Sequence, residues 1–300
     1  MKTAVAPLIA LIFLSACSRK EPPAPPAAAP VAQAPVVATP TPVPAAEDRY
    51  APLMRAVFGS RYRPDQGNAL APLPDPWAAD MQTPLLLTGI APTRLPSGVT
   101  VLAVAGEDVN DKGDPDSSLG QPAYLSLYLL REENGQWRVL RRHENVAKLG
   151  SEGRVGKVSW VTLGPDRPGL AIESPVSNRG QTNNYLALFD PAAEKVADLA
   201  DGILIHSDND DDCGDYRPKC WNHTAKWRLD SASTAAPYHD LVLDIDSKLR
   251  TAKPGAIEAA EQAGSDEIAR DEWTGQSTAR YVFADGKYRL RDGKNPMETE

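Results

Sequence analysis

The chain has 300 residues, 42% of them hydrophobic and 24% charged, a balance ordinary for a globular protein. Its 40 acidic against 32 basic residues give a formal net charge of −8. A surface of that sign gains nothing from polyanions or anionic headgroups, which argues against nucleic acid as a partner and leaves any membrane attachment to something other than the domain surface.

At the N-terminus, Lys2 precedes an apolar run over residues 4–16. Spanning a bilayer takes about 20 apolar residues, whereas the apolar part of a secretory signal needs roughly 7 to 15. The run therefore reads as a signal and not as a transmembrane helix. It ends in Leu14-Ser15-Ala16-Cys17. This block resembles the lipobox of bacterial lipoproteins, which implies cleavage before Cys17, a diacylglyceryl chain on its thiol and another acyl group on the new amino end. In Gram-negative members of that class an Asp after the cysteine favours the inner membrane, so Ser18 points to the outer membrane. Residues 1–16 are thus expected to be a lipoprotein signal peptide, and the mature protein a lipid-anchored component of the cell envelope facing the periplasm.

Residues 22–46 are almost entirely Pro, Ala, Val and Thr, with no charge. Proline fixes its own φ and drives its predecessor towards extended geometry, so the segment favours polyproline II over a packed form. At about 3.1 Å per residue, some 25 such residues reach up to about 75 Å. Residues 17–46 accordingly read as the lipidated N-terminus and a disordered linker, serving either as a tether or as a passive spacer. Residues 47–300 are left as one β-rich globular domain.

In chain order, residues 47–58 place Tyr50, Leu53, Met54 and Val57 at spacings of three and four, which predicts a short amphipathic helix. Strands are expected at 99–105, 124–130, 137–140, 158–163, 170–173, 185–189, 203–205, 226–229 and 241–245. Asn134-Gly135 closes a hairpin between two of these runs, because both residues tolerate positive φ. Residues 256–273, rich in Ala, Glu and Arg behind Pro254, predict a mostly solvated helix broken at Gly264. The chain closes on a second hairpin over Asp285-Gly286, pairing Phe283 with Tyr288 and Tyr281 with Leu290. The fold class is mainly β: antiparallel sheets forming a sandwich, an open barrel or a partial propeller, with one or two short helices. This order of elements also resembles that of uncharacterised exported bacterial β-rich proteins, a likeness that implies no activity.

The densest chemistry lies at residues 208–215, where five aspartates fall within eight residues. Their mutual repulsion requires solvent, a cation or basic partners to offset it. Asp208, Asp210, Asp212 and Asp215 are candidate Ca²⁺ ligands, since a hard cation takes several carboxylate oxygens. The EF-hand pattern fails, with Cys213 at its sixth position and Lys219 at its twelfth. The alternative is a solvated acidic loop. At 108–116, Asp108, Asn110, Gly113 and Asp116 resemble the calcium loop of FG-GAP repeats, with Lys112 standing where that pattern has an aspartate; an ordinary Asp/Gly-rich turn is the competing reading.

If lipid consumes Cys17, Cys213 and Cys220 remain as a disulfide pair in an oxidising compartment. The competing set is zinc held by His206, Cys213, Cys220 and His223, although gaps of six residues are unlike the usual close spacing of zinc ligands.

For catalysis there is no Gly-x-Ser-x-Gly, Walker or His-Glu-x-x-His motif. His143, His206, His223 and His239 are the histidines; His239-Asp240 could join a hydrolase triad, and Glu132, Glu144, Glu173 or Asp244 could supply a glycosidase carboxylate pair, yet spacing selects none of them. Trp137, Trp160, Trp221, Trp227 and Trp273, with Tyr128, Tyr185 and Tyr238, could line a glycan or peptide groove or fill the core. The stretch Cys220-Trp221-Asn222-His223 beside the acidic loop is the expected functional surface. The expected role is a binding or envelope-maintenance module whose partner is an envelope protein or a glycan. The alternative is a periplasmic, glycan-directed hydrolase that uses Ca²⁺.

Overall fold

Buried positions alternate with more exposed ones along segments such as 68–74 and 203–208, which bury one face, whereas 123–130 is buried at every position and so has packing on both faces. The structure, a computed structural model, describes residues 49–75, 78, 80–214, 216–232 and 237–299. The signal peptide, Cys17, the Pro/Ala segment and Asp215 lie outside the described residues.

The first helix, α1, runs Ala51–Phe58, entering later than the predicted 47–58. Six strands follow: β1 (Tyr62–Arg63), β2 (Asn68–Pro74), β3 (Gln82–Arg94), β4 (Thr100–Asp108), β5 (Ala123–Glu133) and β6 (Gln136–Leu149). They form one antiparallel sheet in the order β1-β2-β3-β4-β5-β6. The next eight are β7 (Lys157–Gly164), β8 (Arg167–Asn178), β9 (Gln181–Phe189), β10 (Ile203–Asp208), β11 (Lys219–Asp230), β12 (Asp240–Ala252), β13 (Arg270–Ala284) and β14 (Lys287–Gly293). They make a second antiparallel sheet, again in sequential order. Both sheets are meanders without a crossover, and β7 and β14 are edges, so the second sheet does not close into a barrel.

The helix predicted over 256–273 is corrected. The second helix, α2, spans Ala256–Ala263 and stops at Gly264, which takes the left-handed conformation at φ 61°. From Arg270 the chain is already β13, where pairing with β12 over twelve positions overrides the helix propensity of its Glu and Arg residues.

Three apolar clusters hold the sheets. One lies between α1 and the first sheet, joining Leu53, Met54, Val57 and Phe58 to Leu85, Leu102 and Tyr128; the Phe58 and Tyr128 rings meet edge to face at 5.5 Å. The second joins Val101, Leu125 and Leu127 of the first sheet to Leu170, Ile172 and Phe189 of the second, so the two sheets share a core. The third lies on the second sheet alone, around Leu186, Leu243, Ile245 and Tyr281, and Met297 near the C-terminus completes it.

Candidate functional site

The acidic segment joins β10 to β11. Paired positions on neighbouring strands share a face, so register decides what each acid meets. His206 pairs with Thr224 and Asp208 with Asn222. The His206 ring lies between two groups: Nε2 is 2.6 Å from Asp208 Oδ2 and Nδ1 is 3.0 Å from Thr224 Oγ1. Beyond Asp208 the backbone turns through a short 3₁₀ segment, Asp210–Asp212.

That turn is anchored by Asn209, which is almost fully buried. Its Oδ1 accepts from the Trp221 backbone N–H at 2.8 Å and its Nδ2 donates to Lys219 O at 3.1 Å. Two of the aspartates that follow face separate cations. Asp210 receives Arg250 Nη2 at 2.5 Å and Asn222 Nδ2 at 2.7 Å. Asp212 receives Arg217 Nη2 at 2.9 Å. Arg270, on β13, donates to Cys213 O and Arg217 O at 2.9 and 2.7 Å, stitching the loop to the sheet. Cys213 and Cys220 are disulfide-bonded, with Cα atoms 5.8 Å apart.

The predicted ligand sets can be placed on this geometry. Asp208, Asp210 and Asp212 are directed at His206, Arg250 and Arg217. For zinc, the two thiols are spent on each other, while His223 is buried with Nδ1 2.9 Å from Ser247 Oγ. Among the described residues no group of three or more His, Cys, Asp or Glu side chains is arranged to hold a metal ion.

The other acidic segment leads from β4 towards β5 and is organised by its own backbone. Asn110 Oδ1 accepts the N–H groups of Lys112 and Asp114 at 2.9 and 3.1 Å. Asp116 N–H reaches back to Asp108 O at 2.8 Å, and the Asp108 carboxylate takes Gln121 Nε2. Partial burial holds the Asp108 carboxyl above the ordinary carboxylate range.

Near both segments lies a cleft of ≈ 650 Å³, lined by Leu119, Ser151, Val176, Arg179, Thr182 and Asp211 among others. Arg179 sits there at the tip of the β8–β9 hairpin with φ 48°, a left-handed position followed by Gly180.

The remaining candidates separate by burial. Asp240 is bound by Arg280 at 2.9 Å and Arg291 at 3.4 Å, and its neighbour His239 is buried, with no partner at Nδ1. Glu144 meets Arg142, Glu173 meets Lys157 and the Trp227 indole, and Asp244 meets Arg228. Glu132 borders a hollow at the β5–β6 turn. Tyr128 is buried in the core, and burial together with a hydrogen bond to Asp190 pushes Tyr238 up to about 12. Trp137, Trp160 and Trp227 pack against apolar clusters, Tyr185 and Trp221 are half-buried, and Trp273 stands out at 55% exposed.

Sequence reasoning missed Arg217, Arg250 and Arg270. Arg250 stands opposite Cys220 in the β11–β12 ladder, and Arg270 lies in a segment whose composition reads as helix. Only the strand register brings either to the acidic loop. No protein-family model matches this chain, and no curated protein or solved structure matches it either.

Proposed function

We propose that this chain is a lipid-anchored lipoprotein of the cell envelope, held at the periplasmic face of the outer membrane through Cys17, whose β-rich domain is a binding module. The supporting observation is the Cys213–Cys220 bond. It suits an oxidising compartment and leaves Cys17, at the lipobox, as the one remaining cysteine of the three. Metabolic labelling with an alkynyl fatty acid tests the anchor: the wild-type chain is expected to be labelled and to sediment with outer membrane, and Cys17→Ala to lose both. Wild-type protein found unlabelled in the soluble periplasm overturns it. In-cell crosslinking followed by isolation tests the binding role, with an envelope protein or glycan as the expected adduct.

One observation favours a second reading, a periplasmic hydrolase. With the Nε2 proton of His206 donated to Asp208, Nδ1 accepts the proton of the Thr224 hydroxyl, the hydrogen bonding that a hydroxyl nucleophile and its base require. Thr224 also lines a hollow of ≈ 510 Å³ with Asn222, Asp246 and Gln276. Hydrolysis of aryl esters or glycosides that disappears in Thr224→Val would support this reading; equal rates in the two proteins would sink it.

A further inference from the structure

Pairing in the second sheet puts three large apolar side chains in one row. Leu249 is opposite Trp221 on one flank and opposite Trp273 on the other. Paired positions share a face and neighbouring strands are about 4.8 Å apart, so the two indoles are rooted roughly 10 Å apart with a leucine between them.

Both tryptophans are seated. Trp221 donates Nε1–H to Ser207 Oγ at 3.1 Å and its backbone N–H to Asn209 Oδ1 at 2.8 Å, next to the disulfide at Cys220. Trp273 lies over Gly275, two residues along the same strand: a Cβ built on that glycine would come 2.2 Å from Trp273 Cη2. The missing side chain lets the indole settle against the strand while the residue stays 55% exposed. An indole held in this way offers a broad apolar face to whatever approaches. The next rung outward carries Lys219, Thr251 and Asp271 on the same face, and Lys253 Nζ is 3.5 Å from Asp271.

We propose that the Trp221–Leu249–Trp273 row is a stacking platform for an uncharged oligosaccharide. This rests on the binding-module reading and names its ligand class. Sugar rings present an apolar C–H face to an indole and a rim of hydroxyls to polar neighbours. The row supplies two indoles spaced for alternate rings of one extended chain, with the ring between them over Leu249, and the outer rung supplies a hydroxyl and a carboxylate for the rim. The Asp271 carboxylate is already matched by Lys253, so the rung asks for hydrogen bonds and not for a counter-charge, which suits a neutral ligand. An acyl chain would strip water from that rung and return no hydrogen bonds. A polyanion meets a protein of net charge −8.

The test is titration of the full chain in detergent with chitohexaose and cellohexaose, followed by tryptophan fluorescence. A saturable response is expected with at least one sugar. Trp273→Ala should weaken it about three- to tenfold, the range of one aromatic contact. Gly275→Val, which must displace the ring, should do the same with the circular dichroism unchanged, whereas Lys112→Ala should leave affinity as it was. A flat wild-type titration, equal affinity in wild type and Trp273→Ala, or a response to dextran sulfate or an apolar peptide but not to the neutral sugars overturns the proposal. If wild type still crosslinks to an envelope component while the sugars give nothing, the platform falls and the binding module stands. If crosslinking fails as well, both fall.

Discussion

The two acidic segments, 108–116 and 208–215, are alike in composition and opposite in how they are held. In the first, Asn110 and Asp116 accept backbone N–H groups two to four residues away and Asp108 takes Gln121, so the turn is held by its neighbours in sequence. In the second, support comes from far along the chain: Arg250 on Asp210, Arg270 on two loop carbonyls, and the disulfide back to β11. A run of aspartates is therefore not one kind of structure. A local turn can tolerate its charges in solvent, whereas a segment pressed against a sheet needs cations from that sheet.

This contrast can be broken in order of expected effect. Replacing Cys213 and Cys220 by alanine together should cost about 2.5 kcal/mol, the chain-entropy value for so short a loop, measured as the urea midpoint of the oxidised protein against the double variant. No loss would mean that the arginines alone fix the segment. Asn209→Ala should cost about 2 kcal/mol, because it removes a buried side chain that bonds two backbone groups, the Trp221 N–H and Lys219 O, while Asn110→Ala on the exposed loop should cost about 1 kcal/mol. Equal losses would erase the distinction between the two segments. Arg250→Ala should cost less than about 1 kcal/mol and lose its effect in high salt, as a partly exposed ion pair does. A salt-insensitive loss would show that the pair is better shielded than its exposure implies.

How much could be read in advance follows the same line between local and distant causes. The closing hairpin was legible down to register, Phe283 against Tyr288 and Tyr281 against Leu290, because Asp285-Gly286 carries the turn in its own conformations. The Asn134-Gly135 hairpin was legible for the same reason. Strand β3 was not, since Pro84 and Pro92 argue against a strand with neighbours on both sides. Its pairing with β4 starts only at Leu85 and its pairing with β2 ends at Thr88, so each proline sits where β3 has a single neighbour. In the candidate site, the acidic segment, the cysteine pair and Trp221 were visible as residue types. The row that joins Trp221 to Trp273 was not, because it exists only through β12, whose register no local pattern reveals.

The strictly sequential order of both meanders bears on how the chain folds as it is delivered. Every strand after the first of its sheet finds its partner already emerged, so pairing can keep pace with delivery and no early strand must wait for a distant one. One closure is deferred. Asn295 Nδ2 donates to Leu204 O, and Met297 is buried in the cluster of the second sheet, so that cluster is sealed by residues that follow its last strand. A chain cut after β14 would hold a complete sheet with its core still open.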